Sequence, residues 1–515
     1  MPSSFDDGSG QTFSTTVGLL YVFNLIVGTG ALALPKAFQT SGYVLGSVLL
    51  AISAFVSYMC ATFIVEAMSV SNAILKLENT SGRNSRSSNH GDSGDEGDDA
   101  SIQQYGKQKR SFEITKRVEL SEMAYLLLGK VGVILTYIIL TMYLFGDLAI
   151  YSTTVPKSLM NILCESPNTT EINGQLPCYE SHLNDLSRMT VYRVCVVIFA
   201  SACLPLVLIG MARTKYIQLA TTVSRWTAFL LMIALASIQL IQKGPEARPP
   251  AANIHGFGSL FGVAIYAFMC HHSIPGLLTP IRNKNNFNYK LIGVYVVIFA
   301  FYCTLSITGS FAFHTVQDVY TLNFFHDDTS LLYGLIDHFL VLFPVFTLTS
   351  SYIIVAITLS NNIRVLISMV TGEQSTNVDN TESEALLDSG SEDASTIPLR
   401  QLTTPSPAVE TGFLNFAILY LVPFVAILLP TMLSLFKDDV LILASVTGSY
   451  PGVGVQFVIP SLLVIGARRY VKKNLHSQVP QTLRSPFSHG FWPFATLGWA
   501  LFVVVMVTVH FLHFG

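Results

Sequence analysis

Ionisable side chains inside long apolar runs are the residues of this sequence that could do chemistry. Asp147, Asp337 and the pair His271-His272 each lie well inside such a run. A charged group in a lipid-surrounded segment is costly, so each suggests ion coupling or a place along a solute pathway. The histidines could also titrate near neutral pH. We take Asp147, Asp337 and His272 as candidates for coupling or gating; a hydrogen-bonded contact between helices is the alternative for each.

Enzyme chemistry has little support in the sequence. It contains no His-Glu-x-x-His motif, no Gly-x-Ser-x-Gly motif, and no set of Cys and His residues at zinc spacing. The formal net charge is −3 and no basic stripe is present, which argues against nucleic acid as a partner. We therefore expect no enzyme, no metal site, and no cofactor beyond a coupling ion, Na⁺ or H⁺.

Apolar runs dominate the chain. Hydrophobic residues make up 51% of it and charged residues 12%, against about a quarter charged in soluble proteins. The runs reach about 20 residues, which is enough to cross a bilayer. The sequence thus predicts an all-α membrane protein of about eleven spans. Numbered 1 to 11, they cover residues 15–40, 43–71, 131–161, 191–210, 215–241, 256–280, 290–313, 331–362, 412–435, 439–467 and 491–513.

Two of these spans are predicted to be discontinuous. Span 1 contains Gly28-Thr29-Gly30 and then Pro35, while span 6 places Pro275-Gly276 after Cys270-His271-His272-Ser273. Glycine tolerates non-helical backbone and proline removes a donor. Interruptions five spans apart are typical of transporters built from two inverted five-helix repeats, with a solute site between them. A free amino acid fits such a site, because its carboxylate suits helix amides and its ammonium suits freed carbonyls. Close helix packing on the glycines is the alternative.

The distribution of basic residues predicts the orientation. The segments assigned to the cytosol hold 21 Lys and Arg and the outer segments hold four. The N-terminus is therefore expected inside and the C-terminus outside. The predicted organisation is 1–14 cytosolic, 15–71 spans 1 and 2, 72–130 a cytosolic insertion ending in an interfacial helix, 131–362 spans 3 to 8 with outer loop 164–190, 363–411 a cytosolic acidic loop, and 412–513 spans 9 to 11. We interpret 79–111 and 372–410 as disordered because they are too polar to form a core.

Loop residues carry three modification or sorting signals. In the predicted outer loop, Asn168 begins a glycosylation sequon, and Cys164 and Cys178 flank it. These two cysteines either form a disulfide or remain two free thiols. In the second acidic loop, Glu382, Leu386 and Leu387 resemble an acidic di-leucine signal for endolysosomal sorting adaptors, a pattern that also arises by chance. The location is thus predicted to be endolysosomal or the plasma membrane.

The stretch FNLIVGTGALALPKAF resembles the first helix of the amino acid/auxin permease family, and FMCHHS resembles part of its sixth. The pattern through GDLAIYSTTVPKSLM and VLFPVFTLTSSYIIVAITLSNN is similar to the transmembrane protein 104 family, an outlying branch of that group. The resemblance implies a LeuT-like fold of five-plus-five inverted repeats with an eleventh helix, and amino acid transport coupled to Na⁺ or H⁺.

The resemblance also implies site residues. In sodium-coupled members an asparagine of helix 1 and a hydroxyl of helix 8 help to hold the ion; here these are Asn24 and a choice among Thr347, Thr349 and Ser350. The expected substrate-binding residues lie at the two interruptions: Asn24, Val27, Gly28, Thr29, Gly30, Tyr266, His271 and Ser273. The expected solute is an amino acid or a similar small molecule. A non-transporting amino acid sensor of the same fold is the alternative function.

Overall fold

The computed structural model of the chain describes residues 14–84, 112–164, 176–178, 187–209, 215–324, 331–371, 412–475 and 477–514. Within these ranges every regular element is a helix, and the β-type pairing consists of an isolated bridge between Pro177 and Ser187. The predicted all-α fold is therefore confirmed.

The helices follow the predicted spans closely. Their bounds are Thr15–Ile26 and Thr29–Ser41 for span 1, Tyr43–Asn84 for span 2, Leu120–Leu163 for span 3, Arg188–Ile209 for span 4, Lys215–Lys243 for span 5, Phe257–Ala267 and Ile274–Leu278 for span 6, Phe287–Ala312 for span 7, Leu331–Thr371 for span 8, Gly412–Phe436 for span 9, Val440–Thr447 and Ile459–Tyr470 for span 10, and Phe491–Phe514 for span 11.

Length and composition qualify most of these helices as membrane spans. Among the described residues nine are long and apolar enough to cross a membrane, and the bent pair of span 1 makes a tenth. In span 9 the stretch Tyr420–Phe436 is apolar but shorter. Two helical segments with wider, π-type turns, Gly448–Gly452 and Gly454–Val458, join the halves of span 10.

Three helix boundaries differ from the predictions, and one of them is the end of span 8, whose helix continues to Thr371 beyond the predicted residue 362. The helix of span 2 continues to Asn84, so the first residues of the segment predicted to be disordered, 79–84, are helical. The predicted interfacial helix begins only at Leu120 and joins span 3 through a kink at Gly129, where φ is 74°. A positive φ of this size favours glycine, which has no Cβ to clash. Periodicity in the sequence cannot locate such a kink.

Close backbone approach holds the centre of the molecule together. Span 3 packs along span 8, and the second half of span 1 packs on the first half of span 6. Spans 6 and 10 also meet, because a Cβ on Gly448 would overlap the carbonyl oxygen of Gly262. Small residues at helix interfaces allow this spacing. The two interruptions are thereby placed in the interior and not at the lipid surface.

Candidate substrate and ion site

The interruption of span 1 lies where the glycine pattern predicted it. The first helix ends at Ile26, the second begins at Thr29, and the two are bent by 54°. Gly28 lies between them with φ −129° and ψ −148°, outside helical geometry. The break exposes carbonyl groups at the end of the first helix and amide groups at the start of the second.

Gly28 and Gly30 have different reasons to be glycine. A Cβ on Gly30 would lie 2.6 Å from the Cα of Ala267, so this position fixes the distance between spans 1 and 6. A Cβ on Gly28 would meet only the carbonyl oxygen of Ile26, at 3.9 Å, and otherwise open space. Gly30 is therefore a packing residue, whereas Gly28 borders room in which a solute could approach the backbone.

The interruption of span 6 separates Phe257–Ala267 from Ile274–Leu278. The polar stretch between them is bound to span 2. Ser57 donates its hydroxyl toward the carbonyl oxygen of Phe268 at 3.3 Å, and the Nε2 atom of His271 lies 3.0 Å from the Ser57 carbonyl oxygen. His271 is fully buried, and in the described part of the chain its Nδ1 atom has no hydrogen-bond partner.

One side chain connects the two interruptions. The hydroxyl of Tyr302, in span 7, lies 2.9 Å from the carbonyl oxygen of Ile26 and 3.0 Å from that of Ala267. These are the last residues of the first half-helices of spans 1 and 6. The hydroxyl thus serves carbonyl groups that the breaks leave without helical donors. Tyr302 was not among the predicted site residues.

A chain of hydrogen bonds joins three spans beside the first interruption. Tyr266 of span 6 donates its hydroxyl to Oδ1 of Asp147 in span 3, at 2.9 Å. The Thr29 hydroxyl lies 3.1 Å from the same Tyr266 oxygen. A second tyrosine, Tyr143, also hydrogen-bonds the carboxyl group. The structure therefore brings the predicted coupling residue Asp147 together with the predicted substrate residues Thr29 and Tyr266.

Asn24 contacts span 5. Its Nδ2 atom donates to Oγ1 of Thr222 at 3.1 Å, and its backbone carbonyl oxygen accepts a hydrogen bond of 2.5 Å from Arg225. The Oδ1 atom of Asn24 is buried and has no hydrogen-bond partner among the described residues. Asn24 and Arg225 also line a narrow crevice between spans 1, 5 and 7, together with Phe23, Val27, Trp226, Phe229 and Phe301.

The predicted ion ligands of span 8 donate hydrogen bonds within their own helix. Thr347 donates to the carbonyl oxygen of Phe343 and Thr349 to that of Val345, while Ser350 donates to that of Thr347. Bonds of this kind to the preceding turn are common for hydroxyl residues inside helices. A hydroxyl that donates in this way keeps oxygen lone pairs that can accept a cation.

The remaining predicted residues are dispersed. Val27 and Ser273 are buried at the two interruptions, the His272 ring lies 5.6 Å from that of Tyr143, and Asp337 is buried in span 8. Outside the membrane core, Cys164 and Cys178 are joined by a disulfide. Asn168 and the sorting residues Glu382, Leu386 and Leu387 lie outside the described residues.

A buried ion pair closes the end of the molecule that is predicted to face outward. Lys157 of span 3 binds Asp318, in the connection after span 7, at 2.5 Å, and Asp318 also accepts the Val440 amide at 3.0 Å. Burial of Asp318 acts to raise its pKa, but the charges of Lys157 and Lys36 and the Val440 hydrogen bond outweigh it and hold the pKa below the usual value.

Comparison with known proteins places this architecture in a family. The family of transmembrane amino acid transporter proteins matches residues 11–501. Proteins called transmembrane protein 104 or its homologue are also similar: 49% identity in Caenorhabditis briggsae over 99% of both chains, and 35% in Homo sapiens over 98% of this chain and 97% of that one. The chain belongs to the transmembrane protein 104 family. It is therefore a multi-pass integral membrane protein of an amino acid transporter group.

The relationship extends to distant organisms. The homologue of Dictyostelium discoideum is 32% identical over 97% of both chains. Among solved structures, MhsT in complex with L-phenylalanine aligns over 99% of this chain and 100% of that one, with 12% identity and a TM-score of 0.43.

Proposed function

We propose that this chain is a secondary active transporter of amino acids or similar small solutes, working by alternating access around the interruptions of spans 1 and 6. The observation that carries the proposal is the position of Tyr302, whose hydroxyl joins the ends of both broken helices. Broken helices at mid-membrane depth are tolerated where they are buried in protein or line a cavity. Membership of an amino acid transporter family supports the same solute class.

The first interruption supplies groups that suit an amino acid. The second helix of span 1 begins at Thr29. In its first turn the Ala31 amide donates to the Gly28 carbonyl oxygen at 3.1 Å, whereas the Thr29 and Gly30 amides precede the first helical acceptor. Amides at a helix start attract a carboxylate. Beside them, Gly28 adjoins open space and Thr29 belongs to the hydrogen-bonded chain that ends at Asp147. An amino acid whose carboxylate binds at Gly28 would therefore lie near Asp147, a carboxyl group that can bind positive charge.

Transport is proposed to be driven by a gradient of Na⁺ or H⁺. The N-terminus is proposed to face the cytosol, in an endolysosomal or plasma membrane, in agreement with the distribution of basic residues. The proposal includes cytosolic sorting adaptors that bind Glu382, Leu386 and Leu387.

Flux measurements test the proposal. Full-length protein reconstituted in liposomes would be given a panel of radiolabelled amino acids under inward Na⁺ and H⁺ gradients. We expect gradient-dependent uptake of at least one amino acid. Thr29→Val, which keeps the side-chain shape and removes the hydroxyl, should lower that uptake at least several-fold. The matched control is Thr304→Val, because Thr304 is exposed in span 7 and donates only within its own helix.

Two results would contradict the proposal. One is the absence of gradient-dependent flux for every solute, from wild-type protein that melts cooperatively. The other is normal uptake by Thr29→Val, which would remove the first interruption from the solute site.

A further inference from the structure

We infer that the ion coupled to transport is a proton held by Asp147, and that the Arg225 guanidinium takes the place of a sodium ion beside span 1. This inference rests on the proposed transport function and adds the identity of its coupling ion. Two separate parts of the structure lead to it: a carboxylate without a cation, and a cation without a carboxylate.

Asp147 is a buried carboxyl group without an ion-pair partner among the described residues. It is 5% exposed, and its hydrogen bonds come from the hydroxyls of Tyr266 and Tyr143. A buried carboxylate that lacks a cation is costly. A proton removes this charge and needs no additional room in a site closed by two tyrosine rings. Hydroxyl groups can serve both states, because each donates to a carboxylate and accepts from a carboxylic acid.

The groups around Asp147 include no lysine and no arginine within ion-pair distance in the described part of the chain. On its own span, Tyr143 hydrogen-bonds the carboxyl group and Tyr151 interacts electrostatically with Tyr143 and Tyr266. Span 6 contributes Tyr266, and the His272 ring lies against Tyr143. From span 10, Thr447 approaches the neighbouring Gly146 and carries no charge. Tyr151 also interacts electrostatically with Arg225 of span 5. Asp147 is thus the acidic group of this cluster.

Arg225 lies beside Asn24, one of the residues at which the sequence resemblance placed sodium. Its NH1 atom donates to the carbonyl oxygen of Asn24 at 2.5 Å, in the last turn of the first helix of span 1. This helix end carries partial negative charge and would attract a cation. Within the described residues no carboxylate pairs with Arg225. A fixed positive charge at this carbonyl repels a second cation in a low-dielectric interior.

The coupling step needs no further reactant. The Asp147 carboxylate accepts one proton from one side of the membrane, and the O–H bond formed there neutralises the site while the solute is bound. After the alternate side opens, the same bond breaks and the proton leaves to that side. Tyr266 and Thr29 connect this change of charge to the interruption of span 1 through their hydroxyls.

The first experiment uses wild-type protein in liposomes that contain a pH-sensitive dye. An inward pH gradient in sodium-free buffer should drive solute accumulation and acidify the lumen when solute is added. One pH unit should give at most about tenfold accumulation for one proton per solute. A Na⁺ gradient at equal pH should drive none. Accumulation driven by Na⁺ alone, or solute flux without lumen acidification, would overturn the inference.

Variants of Asp147 identify the proton carrier. Asp147→Asn is fixed in a neutral form, so it should exchange labelled for unlabelled solute yet lose accumulation under a pH gradient. Asp147→Glu should recover accumulation because it restores a titratable carboxyl group. If folded Asp147→Asn loses exchange as well, the carboxyl group acts in solute binding and the inference is wrong. If Asp147→Asn does not fold, the dye measurement on wild-type protein and on Asp147→Glu decides.

Melting temperatures test the role of Arg225 without transport. Wild-type protein should melt at the same temperature in sodium and choline chloride. Arg225→Gln should gain stabilisation by sodium, because the Asn24 carbonyl and the unpartnered Asn24 Oδ1 atom become available to an ion. Arg193→Gln, an exposed arginine of span 4, is the control and should not respond. A sodium response in wild type, or none in Arg225→Gln, contradicts the assignment.

Failure of this inference can be told apart from failure of the proposed function. If solute exchange occurs in wild-type liposomes but follows a sodium gradient, the transporter assignment stands and the proton is wrong. If neither exchange nor gradient-driven flux occurs for any solute, the transport function itself fails.

Discussion

The hydroxyl of Tyr302 lies 2.9 Å from the carbonyl oxygen of Ile26, the last residue of the first helix of span 1. The same hydroxyl lies 3.0 Å from the carbonyl oxygen that ends the corresponding helix of span 6. Since one O–H group serves both ends, the two interruptions are coupled through span 7. Any movement that separates them must lengthen at least one of these bonds.

Tyr302→Phe should destabilise the protein and slow transport. Removing the hydroxyl leaves two buried carbonyl oxygens without this donor, and an unsatisfied buried group costs about 1–3 kcal/mol. We expect a lower melting temperature and a reduced maximal uptake rate. Tyr289→Phe, at an exposed position of the same span, is the control. Equal stability and uptake in the two variants would show that the bridge has no role.

Alanine at the two glycines of span 1 should have opposite effects on stability. Gly30→Ala places a methyl group against the backbone of Ala267, so spans 1 and 6 must separate and the melting temperature should fall by several degrees. Gly28→Ala has room and should melt like wild type. Its uptake should nevertheless decrease, because the methyl group occupies space beside the break. Thermal melting by size-exclusion chromatography compares the two, and equal melting of both variants would contradict the difference in packing.

Local sequence features identified the interruptions but not their contacts. Glycine and proline disrupt a helix by backbone chemistry alone, so the break at Gly28 could be located from the sequence. Asp147 was also detectable, because a carboxyl group in an apolar run is unusual. Tyr302 gives no such signal, since a tyrosine in an apolar run is ordinary. Its role depends on how spans 1, 6 and 7 pack, and periodicity contains no information on packing partners.

The same limit applies to Asn24. Residue type and family resemblance indicated Asn24 as an ion ligand, but the sequence did not indicate its contacts with Thr222 and Arg225 of span 5. Only the three-dimensional structure shows that Arg225 is turned toward span 1.

Asp318 should make stability depend on pH in the acid range. Its pKa is lowered in the folded protein, so its ion pair stabilises fully above the ordinary aspartate pKa of about 3.9. This contribution is lost as the pH falls through the lowered value. Wild type should therefore lose stability below about pH 4, and Asp318→Asn should lose less over the same range. A melting series against pH measures it; parallel curves for both proteins would contradict the assignment.

Removing one partner of the same pair should be more harmful than removing both. Lys157→Met leaves a buried carboxylate unpaired, which costs about 3–5 kcal/mol in comparable cases. The double variant Lys157→Met/Asp318→Asn should melt at a higher temperature than Lys157→Met alone. A double-mutant cycle on melting data measures the coupling, and strictly additive losses would exclude an ion pair.

Glycosylation tests the predicted orientation. Two sequons are present, at Asn79 after span 2 and at Asn168 between spans 3 and 4. They lie on opposite sides of the membrane in the predicted topology, so only Asn168 can meet the glycosylation machinery. Asn168→Gln should have the mass of glycosidase-treated wild type, whereas Asn79→Gln should keep the mass of untreated wild type. A lower mass for Asn79→Gln would show that the topology is the reverse of the predicted one.

Arg468 should not be replaceable by lysine. Its Nε and Nη2 atoms bind both carboxylate oxygens of Glu66, at 2.8 and 2.9 Å, and join span 10 to span 2. The second of these oxygens also accepts a hydrogen bond from the Ser485 amide at 3.0 Å, and Glu66 is 1% exposed. Lysine keeps the charge but cannot form two parallel bonds to a carboxylate.

The order of melting temperatures should therefore be wild type, then Arg468→Lys, then Arg468→Met. The methionine variant leaves the Glu66 carboxylate buried without a cation, at a cost of about 3–5 kcal/mol. Combining it with Glu66→Gln removes that charge and should recover part of the loss. Arg469→Met, at the neighbouring residue, is the matched control. If Arg468→Lys melts like wild type, the two-bond geometry does not contribute, and if the double variant recovers nothing, the unpaired charge is not the cause of the loss.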